Sequence, residues 1–144
     1  MPDTSITNHE TTLINGLLTA VNLTGYGVQK SATYDPEHEI DGAGVLCCSI
    51  TGREQAYPGQ PIYFVSVSFT GMTFVSVDPD QAIIRQIYDD TMKSVQGWTA
   101  ATLTTTVGLT IDGILPITAA AIRGSEDKYR FDINFRLAMS GVTF

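Results

Sequence analysis

The stretch Tyr129 to Met139, "YRFDINFRLAM", alternates large apolar with polar side chains more regularly than any other part of the chain. Neighbouring residues of a strand point to opposite faces. Tyr129, Phe131, Ile133, Phe135, Leu137 and Met139 therefore share one face, and Arg130, Asp132, Asn134 and Arg136 share the other. An apolar row of that length has to be covered by a second layer, so the chain must build a sheet packed on one side.

Other segments supply the rest of the sheet and its cover. Tyr63, Val65, Val67 and Phe69 alternate with Phe64, Ser66, Ser68 and Thr70, a second half-buried strand. Gly71 then marks a bulge or a bend before "MTFVSV" resumes. "VLCCSIT", Val45 to Thr51, reads as a short buried strand between loops at 28–44 and 52–61. Leu103, Thr105, Val107, Leu109 and Ile111, alternating with threonines, read as a strand, and Asp112-Gly113 as a hairpin turn. Residues 114–122 are expected to return antiparallel, with Pro116 placing them at an edge.

Two helices complete the pattern. In the first, Thr7 and Glu10 form a capping box, Leu13, Ile14, Leu17, Leu18 and Val21 form an apolar stripe, Gly16 weakens the interior, and Gly25 and Gly27 end it. In the second, Asp78 caps, Pro79 takes the first helical position and Gln81 closes a capping box. Ile84, Ile87, Tyr88, Thr91, Met92 and Val95 face inward there, Arg85, Asp89, Asp90 and Lys93 face away, and Gly97 ends the helix. The expectation is a single α+β domain over 1–144, with a mostly antiparallel sheet and two helices packed on one face.

Charge and chemistry narrow the function. The chain has 144 residues, a net charge of −7, and only 16% charged residues, so its surface is rich in small polar side chains suited to protein contact. Eight basic residues scattered along the sequence form no cluster, which argues against specific nucleic-acid binding. "MPDTSITNHE" has no basic segment leading into an apolar one, and no run approaches the ~18 apolar residues that span a bilayer. A cytoplasmic setting and no membrane partner are expected, with Cys47 and Cys48 reduced, one buried and one not.

His38 sits among Asp35, Glu37, Glu39 and Asp41, but the spacing fits no calcium loop or zinc motif, and a solvated acidic loop is the plainer reading. His9 reads as an exposed residue of the first helix. Cys47 or Cys48 as a nucleophile would need a base, and His38 alone is near in sequence. No catalytic residue, cofactor or metal is assigned. The competing reading from another class is a small ligand-binding or thiol or metal enzyme using His38 and Cys47 or Cys48.

The order of elements carries a likeness. "ETTLINGLLTAV", an acidic loop, "IYFVSVSF", "IIRQIYDDTMKSVQGW" and "DKYRFDINFRL" together resemble the tail-terminator, or tail-completion, proteins of long-tailed bacteriophages and prophages, over roughly residues 7 to 139. The resemblance implies a non-enzymatic ring, hexameric, that caps the tail tube, ends its polymerisation and joins it to the head. A head-completion or neck protein is the neighbouring alternative. The partners implied are other copies, the tail tube protein and a head-completion protein, in a virion tail assembled in the bacterial host cytoplasm. Loops between early strands make tube contacts in such proteins, which points to 35–44 and 52–61. The candidate interface residues are Asp35, Glu37, Glu39, Asp41 and Arg53 from these loops, with the outer row Arg130, Asp132 and Arg136, whose arginines read either as an ordinary solvated face or as partners for the acidic loop of a neighbouring copy.

Overall fold

A computed structural model describes residues 5–24, 28–31, 43–119 and 121–141. Its fold is α+β: among the described residues three helices and seven strands, the strands forming one sheet that is antiparallel except at one edge. The helices are α1 (Ser5–Ala20), α2 (Ala82–Gly97) and α3 (Ala100–Val107). The strands are β1 (Val28–Ser31), β2 (Gly44–Gln55), β3 (Ile62–Phe74), β4 (Ile111–Ile114), β5 (Thr118–Ala119), β6 (Arg123–Gly124) and β7 (Lys128–Ser140). The order across the sheet is β1-β2-β3-β7-β4, with β5 and β6 also pairing with β7.

The alternating stretches form the centre as expected. β3 and β7 pair without interruption from Ile62 opposite Ser140 to Phe74 opposite Lys128. Val65 meets Leu137, Val67 meets Phe135 and Phe69 meets Ile133 on the helix side, and all six are buried. Leu46 and Cys48 of β2 extend this face, while Leu13 and Leu17 of α1, Ile84, Ile87 and Val95 of α2, and Leu103 and Val107 of α3 close over it. Trp98, after α2, meets Phe69 and Phe135 edge-on and donates its indole N–H to the carbonyl of Ala20 at 3.2 Å.

Two glycines exist for close packing. Gly71 causes neither bulge nor bend; it keeps register opposite Phe131, whose ring occupies the space where a Cβ would stand, 2.0 Å from Cε2. Gly16 lets α1 approach α3 so closely that a Cβ would lie 2.7 Å from Cα of Val107.

Several expectations are corrected. Residues 100–107 are helix: Thr99 and Thr102 form a reciprocal capping box, and Gly108 ends the helix at φ 84. The threonines of this helix satisfy their hydroxyls on the preceding turn, Thr104 on the carbonyl of Ala100 and Thr105 on that of Ala101. Asp112-Gly113 makes no hairpin turn, but sits at an irregularity in β4, which pairs with β7. The 114–122 segment likewise pairs with β7, through β5, along the edge expected from Pro116. Residues 28–31 form a strand and 52–55 prolong β2.

The helix limits shift as well. α1 begins at Ser5, before the proposed Thr7 cap, and ends at Ala20, ahead of the expected stop at Gly25 and Gly27, which lie outside the described residues. α2 begins at Ala82, after Gln81 at φ 62, not at Pro79. Asp78 still serves this end, accepting from the backbone N–H of Ile83 and Ile84 at 2.9 Å each and from the hydroxyl of Thr73 at 3.1 Å. Asp90 is buried instead of facing away, because Thr24 donates to it from both backbone N–H and hydroxyl at 2.9 Å and Gln86 donates at the same distance. Burial raises the Asp90 carboxyl, but these bonds and the Lys93 charge outweigh it and hold the group below its ordinary value. Both cysteines, not one, are buried.

Candidate functional site

The face of the sheet away from the helices is built by the alternate residues of the same strands. Register places them in rows: Val45, Met72 and Arg130; Cys47, Thr70 and Asp132; Ser49, Ser68 and Asn134. Glu54, Phe64 and Ala138 form another towards the opposite end. The outer face thus runs from a small buried apolar cluster, Val45, Cys47 and Met72, through hydroxyls to an exposed end.

Arg130, Asp132 and Arg136 lie on this face as expected, each with partners in its own chain. Asp132 accepts from Arg130 at 3.1 Å, from Arg123 at 2.9 Å and from the Thr70 hydroxyl at 2.8 Å. Burial pushes its carboxyl up, yet the bonds from Arg130 and Thr70 and the charges of Arg130 and Arg123 outweigh this and hold it below the ordinary carboxylate value. Arg136 donates to Glu54 at 3.1 Å and lies over the Phe64 ring, 5.0 Å from its centroid. A neighbour's carboxylates would have to share these cations with Glu54 and Asp132. Arg53 is separated from the group by the sheet: it pairs with Glu10 of α1 on the helix side. Asp35, Glu37, Glu39, Asp41 and His38 lie outside the described residues.

The end of β2 and the β2–β3 turn form an exposed arm beside β3, which itself stays paired with β7, with Val65 buried and Tyr63 packed on the core. From Thr51 to Pro61 every residue except Gly52 and Ala56 is exposed. Its tip, Tyr57-Pro58-Gly59-Gln60, is a tight turn closed by the Gln60 N–H on the Tyr57 carbonyl at 3.2 Å, with Gly59 at φ 79. Proline second and a positive-φ glycine third are the requirements of a type II turn. The Gln55 side chain braces it, donating to the Gln60 carbonyl at 2.7 Å. Tyr57 stands 62% exposed on this rigid base. The signal for it was in the sequence, since "AYPGQP" carries both turn formers.

The far end of the outer face corrects the reading that basic residues form no cluster. Arg123, Lys128 and Arg130 line a cavity of about 270 Å3 with Met72, Gly124 and Ser125. The three stand close together in sequence, and the turn between β6 and β7 brings Arg123 opposite Arg130.

The cysteine chemistry is disfavoured by position. Burial, with the neighbouring Cys47, pushes the Cys48 thiol up to about 12, away from the thiolate that a nucleophile needs. Among the described residues no three His, Cys, Asp or Glu side chains converge as a metal would require, and no helix is long and apolar enough to cross a membrane. The sequence matches no family model and no curated protein.

Proposed function

We propose that the chain is a non-enzymatic structural subunit of the tail-terminator type, which closes a phage tail tube as a hexameric ring, ends its growth and offers the surface that joins the head. One observation carries the reading: the exposed end of β2 leads into a braced turn that presents an exposed tyrosine. Interface energy concentrates on Tyr, Trp and Arg anchors held in place before binding. Tyr57 is such an anchor, and the 52–61 loop is one of the two, with 35–44, expected to reach the tube.

The rest of the arm fits the same role. Arg53 and Arg136 flank it on opposite faces, each oriented by an acid of the same chain, Glu10 and Glu54. Contact, not turnover, is what these groups are suited to, and the thiol buried behind the sheet is held in its unreactive form. The net charge of −7 suits a ring through which DNA passes without sticking. The partners of this reading are other copies of the chain, the tail tube protein and a head-completion protein, in a virion tail assembled in the host cytoplasm.

The test is polymerisation of the cognate tube protein with and without the chain, with tube lengths measured by electron microscopy. Shorter, capped tubes are expected, and Tyr57→Asp should restore most of the length. Tubes of unchanged length at equimolar chain would refute the assignment.

A further inference from the structure

Three of the chain's eight Lys and Arg residues meet at one cavity: Arg123 from β6, and Lys128 and Arg130 from the start of β7. They are held in place. Asp132 accepts from Nη2 of Arg123 at 2.9 Å and from Nε and Nη2 of Arg130 at 3.3 and 3.1 Å, so one carboxylate orients two guanidinium planes. Thr70 fixes that carboxylate from its other side at 2.8 Å. Lys128 lies 5.9 Å from the centroid of the Phe74 ring and 4.0 Å from a carboxylate oxygen of Asp127. Buried Met72 stands beside Arg130 on β3, and Gly124 and Ser125 complete the wall.

We propose that this cleft binds an acidic segment of a partner protein. Three cations stand here beside Asp132, with Glu126 and Asp127 in the adjoining turn, so the cleft is locally balanced in charge whereas the chain as a whole carries −7. The Arg123 side chain is 60% exposed, and a guanidinium carries five N–H donors, of which Asp132 engages Nη2 alone. Its planar fork is shaped for bidentate contact with a carboxylate. Met72 offers an apolar surface to the methylene stem of a glutamate whose head reaches the cations. A run of nucleic-acid phosphates fits worse, because beyond three cations it meets an acidic molecule. The inference concerns the β6–β7 end of the sheet and stands apart from the tube-facing arm.

The test is fluorescence anisotropy of a labelled dodecapeptide of alternating Glu and Ala, with the Gln counterpart, inorganic phosphate and an oligothymidylate as comparison probes. The acidic peptide is expected to bind, the Gln peptide at least about tenfold more weakly, as loss of charge-assisted hydrogen bonds implies. Arg123→Gln should weaken acidic-peptide binding by roughly tenfold or more. Arg85→Gln, on the exposed side of α2, should leave it unchanged. An unaltered thermal transition in Arg123→Gln separates loss of the site from loss of the fold. No binding, equal binding of both peptides, indifference to Arg123→Gln, or tighter binding of phosphate or oligothymidylate would overturn the proposal.

Discussion

At Gly71 the sheet is continuous because a side chain is missing. The Phe131 ring lies across the strand where a Cβ would be, and Tyr88 of α2 closes on the same ring edge-on with centroids 5.2 Å apart. Gly71→Ala should therefore destabilise the protein by about 3 kcal/mol, since overpacking must displace a ring held on both sides. Pairing it with Phe131→Leu should recover part of that loss, because residues in contact do not act additively. Chemical denaturation of the two variants checks this, and equal stability of Gly71→Ala and the parent would mean that the ring moves freely. The sequence shows a glycine interrupting a strand pattern, and bulge, bend and close approach all produce that signature. Only the register across to Phe131 distinguishes them.

At the scale of elements, the misread segment is the most instructive. "TLTTTVGLT" satisfies period-two alternation and is rich in β-branched residues, yet Leu103 and Val107 also stand four apart, on one face of a helix. Thr99 decides between the two by accepting from the Thr102 N–H at 3.2 Å, while the Thr102 hydroxyl accepts from the Thr99 N–H at 3.1 Å. Thr99→Ala removes that cap and should cost about 1 kcal/mol, measured as a lowered denaturation midpoint at unchanged slope. By contrast β3, β7 and α2 were legible, because one period alone fits their apolar residues. The arm was legible only in half: its turn formers were plain, but Gly52, Arg53, Glu54 and Gln55 carry no strand pattern and are extended by pairing with β3.

At the scale of the molecule, the α+β architecture followed from the sequence, whereas the third helix and the seven-strand sheet order did not. Strand order depends on which distant segments meet. β4, β5 and β6 are too short to announce themselves, and they exist because β7 offers them one long edge. Long-range pairing puts Arg53 across the sheet from Arg136, which spacing along the chain could not indicate, whereas the local β6–β7 turn gathers Arg123, Lys128 and Arg130 into one cleft. The outcome is a rigid slab with its helices on one side, a polar face on the other, an arm at one end and a cationic cleft at the other. The proposed function requires self-assembly. Native mass spectrometry across micromolar to submillimolar protein tests it most directly: a hexamer should grow in with concentration at the expense of the monomer, and a monomer persisting over the whole range would contradict the account.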